Sequence, residues 1–92
     1  MYYLYILRTL NHSLYVGVTS DLDRRILRHR SGDGAEFTRR NKVESLVYIE
    51  EFETYFEVRR REKQIKGWTR IKKENLIKFG KPNARDKIDM NN

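Results

Sequence analysis

Apolar and polar positions along the chain follow a period of two near its start and a helical period later. Tyr2 to Leu7 is rich in aromatic and β-branched residues. From Ser13 to Thr19, Leu14, Val16 and Val18 alternate with Tyr15, Gly17 and Thr19, which gives one apolar face and one carrying a phenol beside a glycine. The Asn11-His12 pair between the two runs has turn chemistry, so this stretch predicts a β-hairpin.

Ser20 followed by Asp21, Leu22 and Asp23 has the form of a capping box and predicts a helix from Asp21 to about Arg30, closed near Ser31-Gly32-Asp33-Gly34. After the polar stretch Gly34 to Lys42, the near-continuous apolar run from Ser45 to Phe52 reads as a third strand, placed centrally because such runs suit strands covered on both faces. Thr54 and Glu57 form a second capping box, opening a helix that Gly67 closes. A last helix begins at Trp68-Thr69, reaches Phe79 and ends at Gly80. The order ββαβαα predicts an α+β domain over residues 1–80, a small antiparallel sheet with helices packed on it. Lys81 to Asn92 has little apolar content and is expected to be a disordered tail.

Length and charge narrow the chemistry. A length of 92 residues gives room for one core, and the lack of cysteine removes thiol catalysis, thiolate metal sites and any disulfide-linked partner. No apolar run suits a membrane span, and with no cysteine to oxidise a cytoplasmic location is expected. The net charge of +7 favours a polyanionic partner, nucleic acid above all, without choosing between binding and catalysis.

The helical stripes carry charges where core residues belong. Leu22, Arg25, Ile26 and His29 share one face of the first helix, and Tyr55, Val58, Glu62 and Ile65 share one face of the second. Each has an ordinary explanation: Arg25 at the stripe's edge with its stem along the core, His29 structural, Glu62 ion-paired with Arg25, and Tyr3, Tyr5 and Tyr15 simply strand residues. Each also fits a site in which two phenols, an arginine, a histidine and a carboxylate meet over one sheet face. Arg59, Arg60, Arg61, Lys63 and Lys66 are expected on the wet face of the second helix, where they attract phosphates. No His-Glu-x-x-His, paired Asp-x-Asp, Gly-rich phosphate loop or Gly-x-Ser-x-Gly elbow is present.

These residues together resemble the GIY-YIG endonuclease superfamily, in its small stand-alone bacterial, UPF0213-like members. Tyr3-Leu4-Tyr5 is similar to the first tripeptide and Tyr15-Val16-Gly17 to the second. Gly17 to Leu22 leading into Arg25 and His29 looks like the arginine helix, and Arg60 to Lys66 like the segment of the metal-binding glutamate. Gly34 to Arg39 resembles a loop of the stand-alone group. Tyr3 replaces the first glycine of the namesake motif, and Asn75 is the nearest counterpart of the late asparagine.

The resemblance implies a three-stranded antiparallel sheet flanked by helices and hydrolysis of phosphodiester bonds in nucleic acid, with DNA expected first. It implies one divalent cation, Mg2+ or Mn2+, on Glu62, with Tyr5, Tyr15, Arg25, His29 and Glu62 catalytic. Thr38, Arg39, Arg40, Lys63 and Lys66 are then nucleic-acid contacts, and Asn75 a substrate contact. The competing expectation is a non-cleaving nucleic-acid-binding module on the same fold. Retention of Tyr15, Arg25 and Glu62 together favours the enzyme.

Overall fold

The computed structural model describes residues 1–31 and 43–80; the expected disordered tail and the loop bearing Thr38, Arg39 and Arg40 lie outside the described residues. Strand β1 (Tyr2–Thr9) has Leu4, Tyr5, Ile6 and Leu7 all fully buried, so both of its faces are covered. It forms the middle of an antiparallel sheet of order β2-β1-β3, between β2 (Leu14–Thr19) and β3 (Val43–Phe52). This corrects the expectation that the third strand is central. Its apolar run reflects packing from one side: Val47, Tyr48 and Phe52 reach the core, while Ile49 is 43% exposed.

The β1–β3 register explains how adjacent residues of β3 reach one core. Ile6 faces Tyr48 and Leu7 faces Leu46, so Val47 is an extra residue, and a second shift follows between Arg8 and Thr9. Such bulges bend an edge strand and spoil its unpaired side as a template for another chain. At the hairpin turn His12 adopts a left-handed conformation, φ 67°. The buried Thr9 hydroxyl holds the turn, donating to Asn11 and accepting from the Ser13 N–H at 3.1 Å.

Helix α1 (Leu22–Ser31) starts one residue later than the capping-box reading placed it. Asp21, and not Ser20, is the cap: its carboxylate accepts from the Arg24 N–H at 3.1 Å, and buried Thr19 fixes Asp21 by accepting from its N–H at 3.0 Å. Helix α2 (Tyr55–Lys66) has Thr54 as its expected cap, whose hydroxyl oxygen accepts from the Glu57 N–H and whose hydroxyl donates to the Glu57 carboxylate at 2.8 Å. Gly67 closes it in an ordinary right-handed conformation. Thr69 caps α3 (Arg70–Phe79), which ends at Gly80 with φ 75°, a conformation that favours glycine.

Leu4, Ile6 and Val16 from one sheet face pack with Val58 and Ile65 of α2 and Leu76 of α3. Ion pairs fix both helices in rotation. Arg61 of α2 reaches Glu50 of β3 at 2.9 Å and lies over the Trp68 ring at 5.2 Å, so it is not on the wet face predicted for it. On α3, Glu74 receives both guanidinium nitrogens of Arg8 at 2.9 and 2.7 Å and is held below the usual carboxylate range by that pairing. Among the described residues no helix is long and apolar enough to cross a membrane.

Candidate active site

Strand alternation places Tyr5, Tyr15 and Gly17 on the sheet face opposite Leu4, Ile6 and Val16. Tyr5 pairs directly with Gly17 across the β1–β2 ladder, and Tyr15 lies two residues from Gly17 on the same face. The Tyr5 and Tyr15 rings have centroids 6.2 Å apart with their planes tilted by 36°. The close approach depends on glycine. A Cβ at residue 17 would stand 2.4 Å from the Tyr5 hydroxyl oxygen, 2.5 Å from its Cζ and 3.0 Å from a ring carbon of Tyr15. Tyr5 therefore lies across the bare backbone of β2, fully buried.

Arg25 comes from α1, half-buried beside the end of β2, with a guanidinium nitrogen 3.4 Å from the Val18 carbonyl oxygen. It also hydrogen-bonds the Tyr5 phenol. With Thr19, Ser20, Asp21, Arg24 and Arg28 it lines an open cleft of about 210 Å³. The start of α1 thus presents a guanidinium cluster, of which Arg25 reaches the Tyr5 phenol.

Glu62 lies on α2 between Val58 and Ile65, one turn to either side, and both are fully buried. Their packing fixes the helix face that carries the carboxylate, which is itself 7% exposed. Its ion-pair partners are Arg59 at 2.7 Å and Lys66 at 3.0 Å on the same helix, at i−3 and i+4, and not Arg25 as the simplest structural expectation had it. Tyr55, expected on this buried stripe, is 56% exposed and sits at the rim, edge-on to Tyr2 at 5.6 Å. Glu62 lines a second cleft, of about 530 Å³, with Phe56, Arg59, Arg60, Lys63 and Lys66.

Tyr5 feels all of these groups. Burial pushes its phenol up to about 12, the Tyr15 hydroxyl and the Glu62 carboxylate act in the same direction, and Arg25 opposes them. Three of the expected site residues, Tyr5, Tyr15 and Arg25, are thus in contact, brought from β1, β2 and α1, and Glu62 of α2 acts on Tyr5 through its charge. Lys63 and Lys66 border the same site through the α2 cleft. His29 lies in the last turns of α1, with its side chain outside the described residues. Asn75 is half-buried on α3, next to the Glu74 that anchors that helix. Sequence reasoning overlooked Arg59 as a partner of Glu62, although the three-residue spacing on one helix carried that signal.

The fold and this constellation agree with what the chain is similar to. Residues 1–75 match the model of the GIY-YIG catalytic domain. The UPF0213 protein of Staphylococcus saprophyticus is 40% identical over 79 residues, covering 86% of this chain and 96% of that protein. The UPF0213 protein of Bacillus pumilus is 42% identical over 76 residues, 83% of this chain and 78% of that protein. The solution NMR structure of the UPF0213 protein of Bacillus halodurans superposes with a TM-score of 0.56 at 42% identity, covering 85% of this chain and 84% of that one. The chain therefore belongs to the GIY-YIG catalytic-domain family, among its UPF0213 members.

Proposed function

We propose that this protein is a metal-dependent endonuclease that hydrolyses phosphodiester bonds of nucleic acid, DNA in the first place, at the point where Tyr5, Tyr15, Arg25 and Glu62 converge. The observation that carries this reading is the placement of Tyr5 under the simultaneous influence of Tyr15, Arg25 and Glu62, over a glycine that leaves room for it. A purely structural tyrosine has no need of a half-buried guanidinium on its hydroxyl and a buried carboxylate acting on it as well.

The donor set suits a hard, mostly hydrated cation. Glu62 is a single buried carboxylate, and no group of three or more His, Cys, Asp or Glu residues surrounds it among the described residues. One carboxylate leaves most of the coordination sphere to water and phosphate, as Mg2+ and Mn2+ accept. Glu62 would hold the ion, and the ion would supply charge neutralisation at the phosphate and the departing 3′ oxygen. Arg59 and Lys66 sit on side chains 55% exposed and swing away at little cost when an ion takes the carboxylate.

The protein's own groups divide the remaining work. Tyr5, with its proton held to about pH 12, stays a neutral hydroxyl that positions the attacking water. Tyr15 takes a proton from that water as its oxygen bonds to phosphorus, and His29 assists the transfer. Arg25 meets the equatorial oxygens where negative charge grows. Lys63, Lys66, Thr38, Arg39 and Arg40 bind neighbouring phosphates, and Asn75 is a substrate contact. Incubating the purified protein with labelled single-stranded, duplex and branched DNA in Mg2+ or Mn2+ tests the reading. Cation-dependent fragments are expected; intact substrate under every condition would contradict it.

A further inference from the structure

The α2 cleft contains a group that hydrolysis does not use. Phe56 is 71% exposed and lines the cleft with Arg59, Arg60, Lys63 and Lys66, while Glu62 forms its inner side. Phe56, Arg60 and Lys63 occupy i, i+4 and i+7, so the ring and two cations form one stripe along the outer face of the helix. Leu27, exposed as well, lines a separate cleft with Leu22, Asp23, Ile26 and Leu46, whose lining carries no cation.

An exposed phenyl ring amid cations is a poor solution for a solvated helix face and a good one for an unpaired base. The cations track the phosphates, and the ring offers a flat apolar surface to a base whose faces are uncovered. A duplex keeps its bases stacked on one another and has no such face to give. The cleft bordered by Arg24, Arg25 and Arg28 is cationic and has no aromatic wall. We propose that Phe56 is a base-stacking platform for the nucleotide next to the scissile phosphate, so that the protein selects nucleic acid single-stranded on the α2 side of the cut. The proposal rests on the endonuclease reading for its register and adds the substrate class.

Binding of the full chain is measured in chelator, where no cleavage interferes, to three probes of equal length: oligothymidylate, an abasic deoxyribose-phosphate strand, and a blunt duplex. Phe56→Ala should weaken oligothymidylate binding by about 10- to 100-fold, the worth of one base stacked on an aromatic ring, and leave the other two probes within about twofold. Phe56→Trp should retain oligothymidylate affinity. Equal binding of all three probes by the wild type, or equal effects of Phe56→Ala on all three, would overturn the platform. Cleavage separates the two readings: Phe56-dependent binding without cleavage of any substrate upholds the platform and removes the endonuclease. Cation-dependent cleavage with oligothymidylate binding indifferent to Phe56→Ala does the reverse.

Discussion

At the scale of single residues the site turns on an absent side chain. Gly17→Ala would put a methyl group into the Tyr5 ring, which is fully buried and has nowhere to retreat. We expect a loss of about 1 to 3 kcal/mol in the urea midpoint, typical of overpacking, together with loss of cleavage. A variant as stable and active as wild type would show that the ring and the glycine are not in contact. Tyr15→Phe keeps the ring and removes the hydroxyl. It should cost about 1 kcal/mol of stability and slow single-turnover cleavage by ~10² to 10⁴, the worth of a general base. Unchanged single-turnover rates in both Tyr15→Phe and Tyr5→Phe would remove the phenols from the chemistry. Tyr5 and Tyr48 are both pushed from 10.0 to about 12, each chiefly by burial. Between those values the folded state keeps protons that the unfolded chain has lost, so stability is intact below pH 10 and falls as pH rises towards 12. An alkaline absorbance titration should show two of the six tyrosines ionising late, and one fewer in Tyr5→Phe. Six phenols ionising together would contradict the burial of Tyr5.

Secondary-structure elements carry the site through their caps, stripes and anchors, and here the sequence was partly legible. The hairpin, the Thr54–Glu57 cap and the glycine stop at Gly80 are local signals that depend on few neighbours, and each stands as read. Signals set by tertiary partners were misread. Ser20 looked like a cap until buried Thr19 bound Asp21 and moved the start of α1, and Arg61 looked solvated until β3 supplied Glu50. The apolar run of β3 suggested a central strand because sequence cannot show that a bulge at Val47 brings adjacent side chains to one core. Arg61 and Arg60 should consequently behave differently although they are neighbours of like charge. Arg61→Ala removes the anchor that sets the rotation of α2 and should lower both stability and maximal rate. Arg60→Ala, on an exposed residue, should leave the melting temperature unchanged while weakening binding and reducing its salt slope by about one. Equal thermal shifts in the two variants would show that the Glu50 contact anchors nothing.

For the whole molecule, four elements, β1, β2, α1 and α2, each deliver one group of the candidate site: Tyr5, Tyr15, Arg25 and Glu62. Tyr5 and Tyr15 were legible as an alternation, Arg25 and Glu62 as charges on apolar stripes, because burying a charge needs a reason that periodicity exposes. Their convergence was not legible, since it depends on strand order and on the packing of α2 across the sheet. Both α1 and α2 bring cations to a cleft that includes a site residue, Arg25 or Glu62, in keeping with a net charge of +7 and a partner held by its phosphates. The central claim is that Glu62 serves chemistry and not architecture, and its replacement tests this most directly. With partners on half-exposed side chains, Glu62→Ala should cost no more than about 1 kcal/mol of stability and leave DNA affinity in chelator nearly unchanged. Single-turnover cleavage in saturating Mg2+ or Mn2+ should be abolished. A folded Glu62→Ala protein that cuts labelled DNA at the wild-type rate would contradict the account.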